Sequence, residues 1–111
     1  MHGSIDPEPS AAMVLAAQRG DAAALEQVVL SVRDRVYRLS LRMTTRPPDA
    51  EDATQEILIR MITRLSTFRD DAAFSTWVHR IAVNHLLDRS RSCVERMEMS
   101  FDAFAADLWP R

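Results

Sequence analysis

The strongest constraint on the fold is a helical periodicity that leaves one helix face without a role in a core. Between positions 49 and 65, apolar residues recur every three or four positions and form one stripe at about 100° per residue. That stripe contains Ala50, Ala53, Ile57, Leu58, Met61 and Leu65. The opposite face carries Asp52, Gln55, Glu56, Ile59 and Thr63. An isoleucine among polar side chains adds nothing to a core on the far side of the helix. The pattern therefore predicts that this face docks on another protein.

A second helix is predicted after the loop F-R-D-D-A-A and runs to about Arg91. Its apolar spacing predicts that one side is buried, and this side contains Phe74, Trp77, Val78, Ile81 and Ala82. A different side carries residues at spacings of three and four, namely Arg80, Asn84, Leu87 and Arg91. Asparagine can bond a base edge in two places, and arginine can hold phosphate or guanine. This side is therefore a candidate nucleic-acid interface.

Two helices are predicted to precede this pair. Ser10 is a suitable N-cap for a short helix that ends near Arg19, where Gly20 breaks it. Asp21 is a suitable N-cap for a long helix that ends near Thr44. Its main apolar stripe contains Leu25, Val28, Val29, Val32, Val36, Leu39 and Met43, and a second stripe contains Leu30, Tyr37 and Leu41. A helix with two apolar stripes needs neighbours on two sides, so we expect the long helix to be central.

The segment R-P-P ends the long helix because proline cannot continue it. Asp49 then serves as the predicted N-cap of the third helix, and acids in its first turn complement the helix dipole. Such capping accounts for the beginning of D-A-E-D-A-T-Q-E by itself. It does not account for Gln55, Glu56 and Ile59, which continue the same face beyond the first turn.

The composition fits one small all-α domain, since 111 residues include only 2 glycines and 47% apolar residues. The net charge of −2 gives no overall signature of nucleic-acid binding. Charge is nevertheless segregated, because residues 49–56 hold four acids and residues 60–91 hold six arginines. A local basic surface is compatible with the acidic total.

Several other classes of protein are disfavoured. The single cysteine, Cys93, excludes an internal disulfide and is compatible with the cytoplasm, where we expect the chain to act. No segment approaches a membrane span. His79 and His85 are six residues apart, off the spacing of a helical metal pair, so we expect no metal. No nucleophile with a nearby base and no phosphate-binding glycine loop is recognisable. We expect neither a cofactor nor enzymatic activity.

Taken in order, these segments resemble bacterial RNA polymerase sigma factors of the small extracytoplasmic-function group. The resemblance rests on D-A-E-D-x-x-Q-E, an aromatic-ended loop, and F-x-x-W-x-x-R-I-A-x-N-x-x-x-D, and it covers roughly residues 10 to 91. It implies a bundle of about four helices, the second of the conserved sigma regions. It also implies two partners, the clamp coiled coil of core RNA polymerase and the non-template strand of promoter DNA. An anti-sigma factor is a further candidate partner.

The resemblance assigns roles to particular residues. It implies polymerase contacts by Asp52, Gln55, Glu56 and Ile59. It implies that Asn84 contributes to reading the promoter −10 element, whereas the helical register, not the resemblance, predicts that Arg80 and Arg91 hold the backbone of the strand. It also implies that the loop from position 68 to 73 forms a pocket for a flipped base, with the DNA-contacting residues Phe68, Arg69, Asp70 and Asp71. Phe74, Trp77 and Ile81 are predicted to be structural core, and strand separation is the alternative role for Trp77. The two aspartates repel phosphate, so cytosine's amino group is a candidate for the base feature that is read.

The resulting prediction is a domain that binds core RNA polymerase and recognises and melts the −10 element. The alternative is a helical regulatory module that binds polymerase or another protein without promoter specificity. Residues 1–9 are predicted to be a disordered lead that begins with a tag-like M-H-G-S, and residues 10–91 form the helical domain. Residues 92–111 form a linker or a short amphipathic segment. The second, helix-turn-helix domain usual in this family is predicted to be absent.

Overall fold

Four α-helices and one 3₁₀ turn make up the described part of the protein. The computed structural model describes residues 8–69 and 73–108, with side chains up to Arg91. The helices are α1 (Ala11–Gln18), α2 (Ala22–Thr44), α3 (Pro47–Arg64) and α4 (Phe74–Leu108), and the 3₁₀ turn is Leu65–Thr67. No strand occurs among these residues, and the all-α prediction is confirmed.

The first two helices begin at the predicted N-caps. The Ser10 hydroxyl accepts a hydrogen bond from the Met13 N–H at 3.1 Å, and the Asp21 carboxylate accepts one from the Ala24 N–H at 3.1 Å. Each bond satisfies one of the N–H groups that a helix start leaves without an intrahelical partner. Gly20 lies between the two helices at φ 97°, a conformation that a residue with a Cβ rarely adopts. Capping chemistry thus defines both boundaries.

The prediction that Asp49 caps α3 is wrong. The helix begins two residues earlier, at Pro47, and Arg46 precedes it without a side-chain capping bond. Proline suits the first position of a helix, because the missing N–H would have no intrahelical partner there and its φ is already helical. Asp49 instead lies in the first turn, where its charge still favours the helix dipole. Thr45 ends α2 at φ 64°, so the chain reverses within a very short connection.

The core lies around α2, which packs against each of the other three helices. The large side chains with no exposed surface at all include Val28 and Val32 of α2 and Ile57 and Met61 of α3. The central position predicted for α2 is confirmed. Neither apolar stripe of α2 is completely buried. Met43 of the main stripe is 40% exposed, and Leu30 of the second stripe is 51% exposed.

The last helix is longer than predicted. It continues past Arg91 to Leu108, so residues 92–108 prolong α4 in one unbroken helix. The expectation of a helix end near Arg91 is wrong because no proline or glycine interrupts the helix from position 74 to 108. Helices in the described part of the chain all lack an apolar stretch long enough to cross a membrane.

Candidate functional surfaces

The outward face of α3 is formed as the periodicity predicts. Asp52, Gln55 and Ile59 are exposed, and they lie on one side of the helix because their spacings are three and four residues. Ile59 is 60% exposed, whereas Ile57, two positions earlier, has no exposed surface. The core face of α3 is therefore complete without Ile59. An apolar side chain surrounded by polar ones remains available to a partner.

Glu56 belongs to this face by register, but its carboxylate is already engaged. Its Oε2 lies 2.9 Å from Nε2 of His85, and its Oε1 lies 3.5 Å from a guanidinium nitrogen of Arg89. Both partners are on α4. The Glu56 side chain is still 49% exposed. It therefore joins α3 to α4 and reaches the edge of the outward face of α3 at the same time.

His85 is the buried half of this contact, with 6% of its surface exposed. Although the Glu56 carboxylate lies 2.9 Å from Nε2, neither ring nitrogen of His85 makes a hydrogen bond to another described residue. Burial lowers the pKa of His85 below its usual 6.5, and the positive charges of Arg60 and Arg89 act in the same direction. The negative charge of Glu56 opposes them but does not prevail. His85 is consequently neutral at pH 7.

Arg89 extends the contact to the start of α3, because its guanidinium also lies 3.8 Å from the Asp49 carboxylate. A cleft of about 620 Å³ opens beside these side chains between α3 and α4. Sequence reasoning missed the roles of His85 and Arg89. Their partners are on another helix, and the rotation of two helices about their axes is not encoded in the spacing along either one.

The predicted DNA face of α4 also comes together on one side of the helix. Arg80, Asn84, Leu87 and Arg91 are all exposed, and Leu87 is 48% exposed. Arg91 forms an ion pair with Asp88 one turn earlier. This pair is exposed to solvent, where such pairs contribute little and exchange readily for a phosphate. The described geometry thus leaves Arg80 and Asn84 on the surface and Arg91 in a weak local contact.

The loop before α4 begins in an aromatic cluster. The Phe68 ring lies 5.2 Å from that of Phe74 in an edge-to-face arrangement and 5.2 Å from that of Trp77. Phe74 is buried, as is Ile81, and Trp77 is half-buried against the core. Phe68, which is predicted to contact DNA, therefore also packs against Phe74 and Trp77 at the edge of the core. The cluster anchors the beginning of the loop to the beginning of α4.

The other loop residues predicted to contact DNA are Arg69, Asp70 and Asp71. Arg69 is exposed, whereas the predicted DNA contacts Asp70 and Asp71 lie outside the described residues. A cavity of about 430 Å³ adjoins the loop, and α1 supplies much of its wall. Across the described residues, no group of three histidine, cysteine, aspartate or glutamate side chains could hold a metal ion.

The chain is similar in sequence to known transcription factors. A family model described as Sigma-70 region 2 matches residues 28–93. The ECF RNA polymerase sigma factor SigE of Mycolicibacterium smegmatis is 36% identical over 107 residues, 90% of this chain and 41% of the relative. SigM of Mycobacterium tuberculosis is 42% identical over 86 residues, 76% of this chain and 43% of the relative. The RNA polymerase sigma-H factor of Pseudomonas aeruginosa is 38% identical over 78 residues, 67% of this chain and 40% of the relative. The chain thus spans about two fifths of the length of these relatives.

Proposed function

Because this chain belongs to the sigma-70 region 2 family, we propose that it is the part of an extracytoplasmic-function sigma factor that docks on core RNA polymerase and recognises and melts the promoter −10 element. It carries out no catalysis of its own, and strand opening is driven by binding energy. It acts in the cytoplasm, where polymerase and promoters are found. Residues 10–91 form the unit that does this work, and an anti-sigma factor is a further candidate partner.

The observation that carries the proposal is the exposed apolar anchor on α3. Ile59 is 60% exposed, and the polar side chains of Asp52 and Gln55 lie on the same face. Interface hot spots commonly combine an apolar anchor with surrounding groups that exclude water and select the partner. The four acids among residues 49–56 favour a basic partner surface. The clamp coiled coil of the polymerase is the partner that family membership suggests.

The Glu56 contact with His85 and Arg89 refines the role proposed for Glu56. A carboxylate that accepts a hydrogen bond from Arg89 at 3.5 Å and lies 2.9 Å from the His85 ring is restricted in its motion before a partner arrives. Less side-chain entropy is then lost on docking. We therefore assign Asp52, Gln55 and Ile59 as the direct contacts, and Glu56 as a contact at the rim that also holds α3 against α4.

Promoter reading is proposed for the exposed face of α4 and the preceding loop. Asn84 offers a donor and an acceptor for a base edge, and Arg80 and Arg91 offer charge for phosphates. We propose that the segment from position 68 to 73 receives a base turned out of the strand, and a cavity of about 430 Å³ lined by Phe68 and Ala73 supports this proposal. Stacking on a fitted pocket contributes about 1–3 kcal/mol, which offsets the few kcal/mol of unstacking.

The test uses the 111-residue chain with purified bacterial core polymerase and a randomised pool of single-stranded DNA. Polymerase carrying the chain should enrich one short non-template sequence, and a template containing that sequence in a pre-opened bubble should yield run-off transcript. Polymerase without the chain should enrich no such sequence. Binding to polymerase without any enrichment would favour the alternative, a helical regulatory module without promoter specificity. Failure to bind polymerase would remove the proposal altogether.

A further inference from the structure

Two apolar side chains, the outer pair Val83 and Leu87, lie on the side of α4 that faces away from the core. Leu87 follows the buried Val78 by nine positions, which at 100° per residue places it on the opposite side of the helix. Leu87 is 48% exposed, whereas the adjacent Leu86 is 2% exposed. Val83 lies one turn before Leu87 and is half-buried, and neither residue belongs to the core cluster. The contribution of α4 to the core is therefore complete without the outer pair.

Positive charge lies at both ends of the outer pair. Arg80 precedes Val83 by three positions and Arg91 follows Leu87 by four, so all of them lie on the same side of α4. At 1.5 Å per residue, the two arginines are about 16 Å apart along the helix axis. Arg91 pairs with Asp88 in an exposed contact, which a phosphate readily replaces. This side of α4 thus presents two cations with an apolar surface between them.

A single DNA strand matches this order of charged and apolar groups. Its phosphates suit the two arginines, and its bases present their edges between them. Among these edges, the 5-methyl group of thymine is the apolar feature, since the others are hydrogen-bond donors and acceptors. Asn84 precedes Leu87 by about 4.5 Å along the helix axis, comparable with the roughly 3.4 Å between successive bases of a strand. A strand whose base bonds to Asn84 therefore brings the neighbouring base within reach of Leu87.

An acidic protein segment would also satisfy the two arginines. Its carboxylates accept hydrogen bonds but donate none, so they would leave the side-chain carbonyl of Asn84 without a donor. A base edge engages both the carbonyl and the NH₂ group of that amide. The amide beside the outer pair consequently favours a base over an acidic side chain.

We propose that Leu87 is a specificity-determining residue that contacts the 5-methyl group of a thymine next to the base read by Asn84. Val83, one turn earlier, extends the apolar surface on which this methyl group rests. The proposal rests on the proposed function, since it takes α4 as the surface that reads the strand. It requires that the recognised sequence contain a thymine whose methyl group is read in addition to its hydrogen-bonding edge.

The experiment exchanges thymine for uracil, which removes the 5-methyl group and leaves the hydrogen-bonding groups unchanged. Polymerase carrying the 111-residue chain is titrated with the enriched single strand and with strands in which each thymine in turn is replaced by deoxyuridine. Leu87→Ala removes most of the apolar side chain, whereas Leu87→Met keeps an apolar side chain of similar volume. Leu30→Ala is the matched control, because Leu30 is 51% exposed but lies on α2. A thermal melt accompanies each variant.

We expect one thymine at which uracil lowers the affinity of the wild type by about fourfold, the change that corresponds to burying one methyl-sized group. Leu87→Ala should bind the thymine and uracil strands equally, with an affinity close to that of the wild type for the uracil strand. Leu87→Met should keep most of the difference, and Leu30→Ala should behave as the wild type. The melting temperature of Leu87→Ala should stay near that of the wild type, because the residue lies outside the core and alanine favours a helix.

Four results would overturn the inference. An enriched strand whose affinity is insensitive to uracil at every position, or that contains no thymine, would show that no methyl group is read. A uracil effect that persists in Leu87→Ala would assign the methyl contact to another residue. Equal weakening of both strands by Leu87→Ala would make Leu87 an unspecific wedge between bases. Weaker binding of Leu87→Ala to polymerase itself would place the outer pair in a protein interface.

These four results leave the proposed function standing, because the wild-type chain still separates matched from mismatched strands in each of them. A wild-type chain that binds matched and mismatched strands equally would instead refute base reading itself. The comparison of thymine with uracil therefore tests the role of Leu87, and the comparison of matched with mismatched strands tests the proposed function.

Discussion

Replacing Ile59 by glutamate tests the proposed docking face most directly. Fully burying an isoleucine side chain stabilises by about 1.5–3 kcal/mol. Since 60% of Ile59 is still exposed, docking can remove at most that fraction from water, which corresponds to about 1–2 kcal/mol. A glutamate adds the cost of desolvating a charge among groups that already carry negative charge. The affinity for core polymerase should therefore fall by at least about 2 kcal/mol, or roughly 30-fold.

The same substitution should leave folding almost unchanged. Ile59 is not part of the buried cluster, and glutamate is a good helix former. An exposed change of this kind typically alters the free energy of unfolding by less than about 0.5 kcal/mol. A loss of docking without a loss of stability is thus the expected signature.

Fluorescence anisotropy with labelled chain and purified core polymerase gives the affinity, and a thermal melt gives the stability. Leu30→Glu is the matched control, because Leu30 is 51% exposed but lies on α2 and not on α3. Its polymerase affinity should equal that of the wild type. If Ile59→Glu binds normally, or if both variants lose the same affinity, the α3 face is not the docking site. If Ile59→Glu unfolds, the orientation assigned to α3 is incorrect.

Four further predictions concern stability and DNA. Trp77→Ala should lower the free energy of unfolding by about 2–4 kcal/mol, because a half-buried aromatic side chain leaves the core; chemical denaturation measures this. Asn84→Ala should reduce the discrimination of matched from mismatched single strands by about 1–3 kcal/mol. Arg80→Ala and Arg91→Ala should weaken all sequences alike and lower the salt slope by about one each. Stability should fall as pH decreases below 6.5, since burial lowers the pKa of His85 and the unfolded chain then binds more protons than the folded one; His85→Gln should flatten this dependence.

Each of these predictions has a contradicting result. A Trp77→Ala melt matching the wild type would show that Trp77 contributes nothing to the core. An arginine variant that abolishes base preference, with Asn84→Ala weakening both strands equally, would reverse the division of roles on α4. Stability can be measured at pH values on either side of 6.5 in the wild type and in His85→Gln. If both lose the same stability toward acid pH, groups other than His85 cause the loss.

Much of the fold could be predicted from local patterns. The apolar periodicity indicated the four helices, and the hydroxyl of Ser10 and the carboxylate of Asp21 marked two helix starts, because capping and amphipathicity depend on residues within one or two turns. The exposed position of Ile59 followed from the same 100° period. Local patterns were insufficient where two signals competed. Asp49 and Pro47 are both good helix starters, and the proline began the helix.

The sequence by itself thus determined that the chain is helical and which faces of α3 and α4 are left for partners. Only the tertiary structure decided which side chains meet across helices. Glu56 contacts His85 and Arg89 because α3 and α4 pack at one particular rotation, and Gln18 reaches the carbonyls of Leu65 and Phe68 because α1 lies beside the 3₁₀ turn. Helix periodicity specifies the face on which a residue lies, whereas the angle and offset at which two faces meet depend on packing of the whole core.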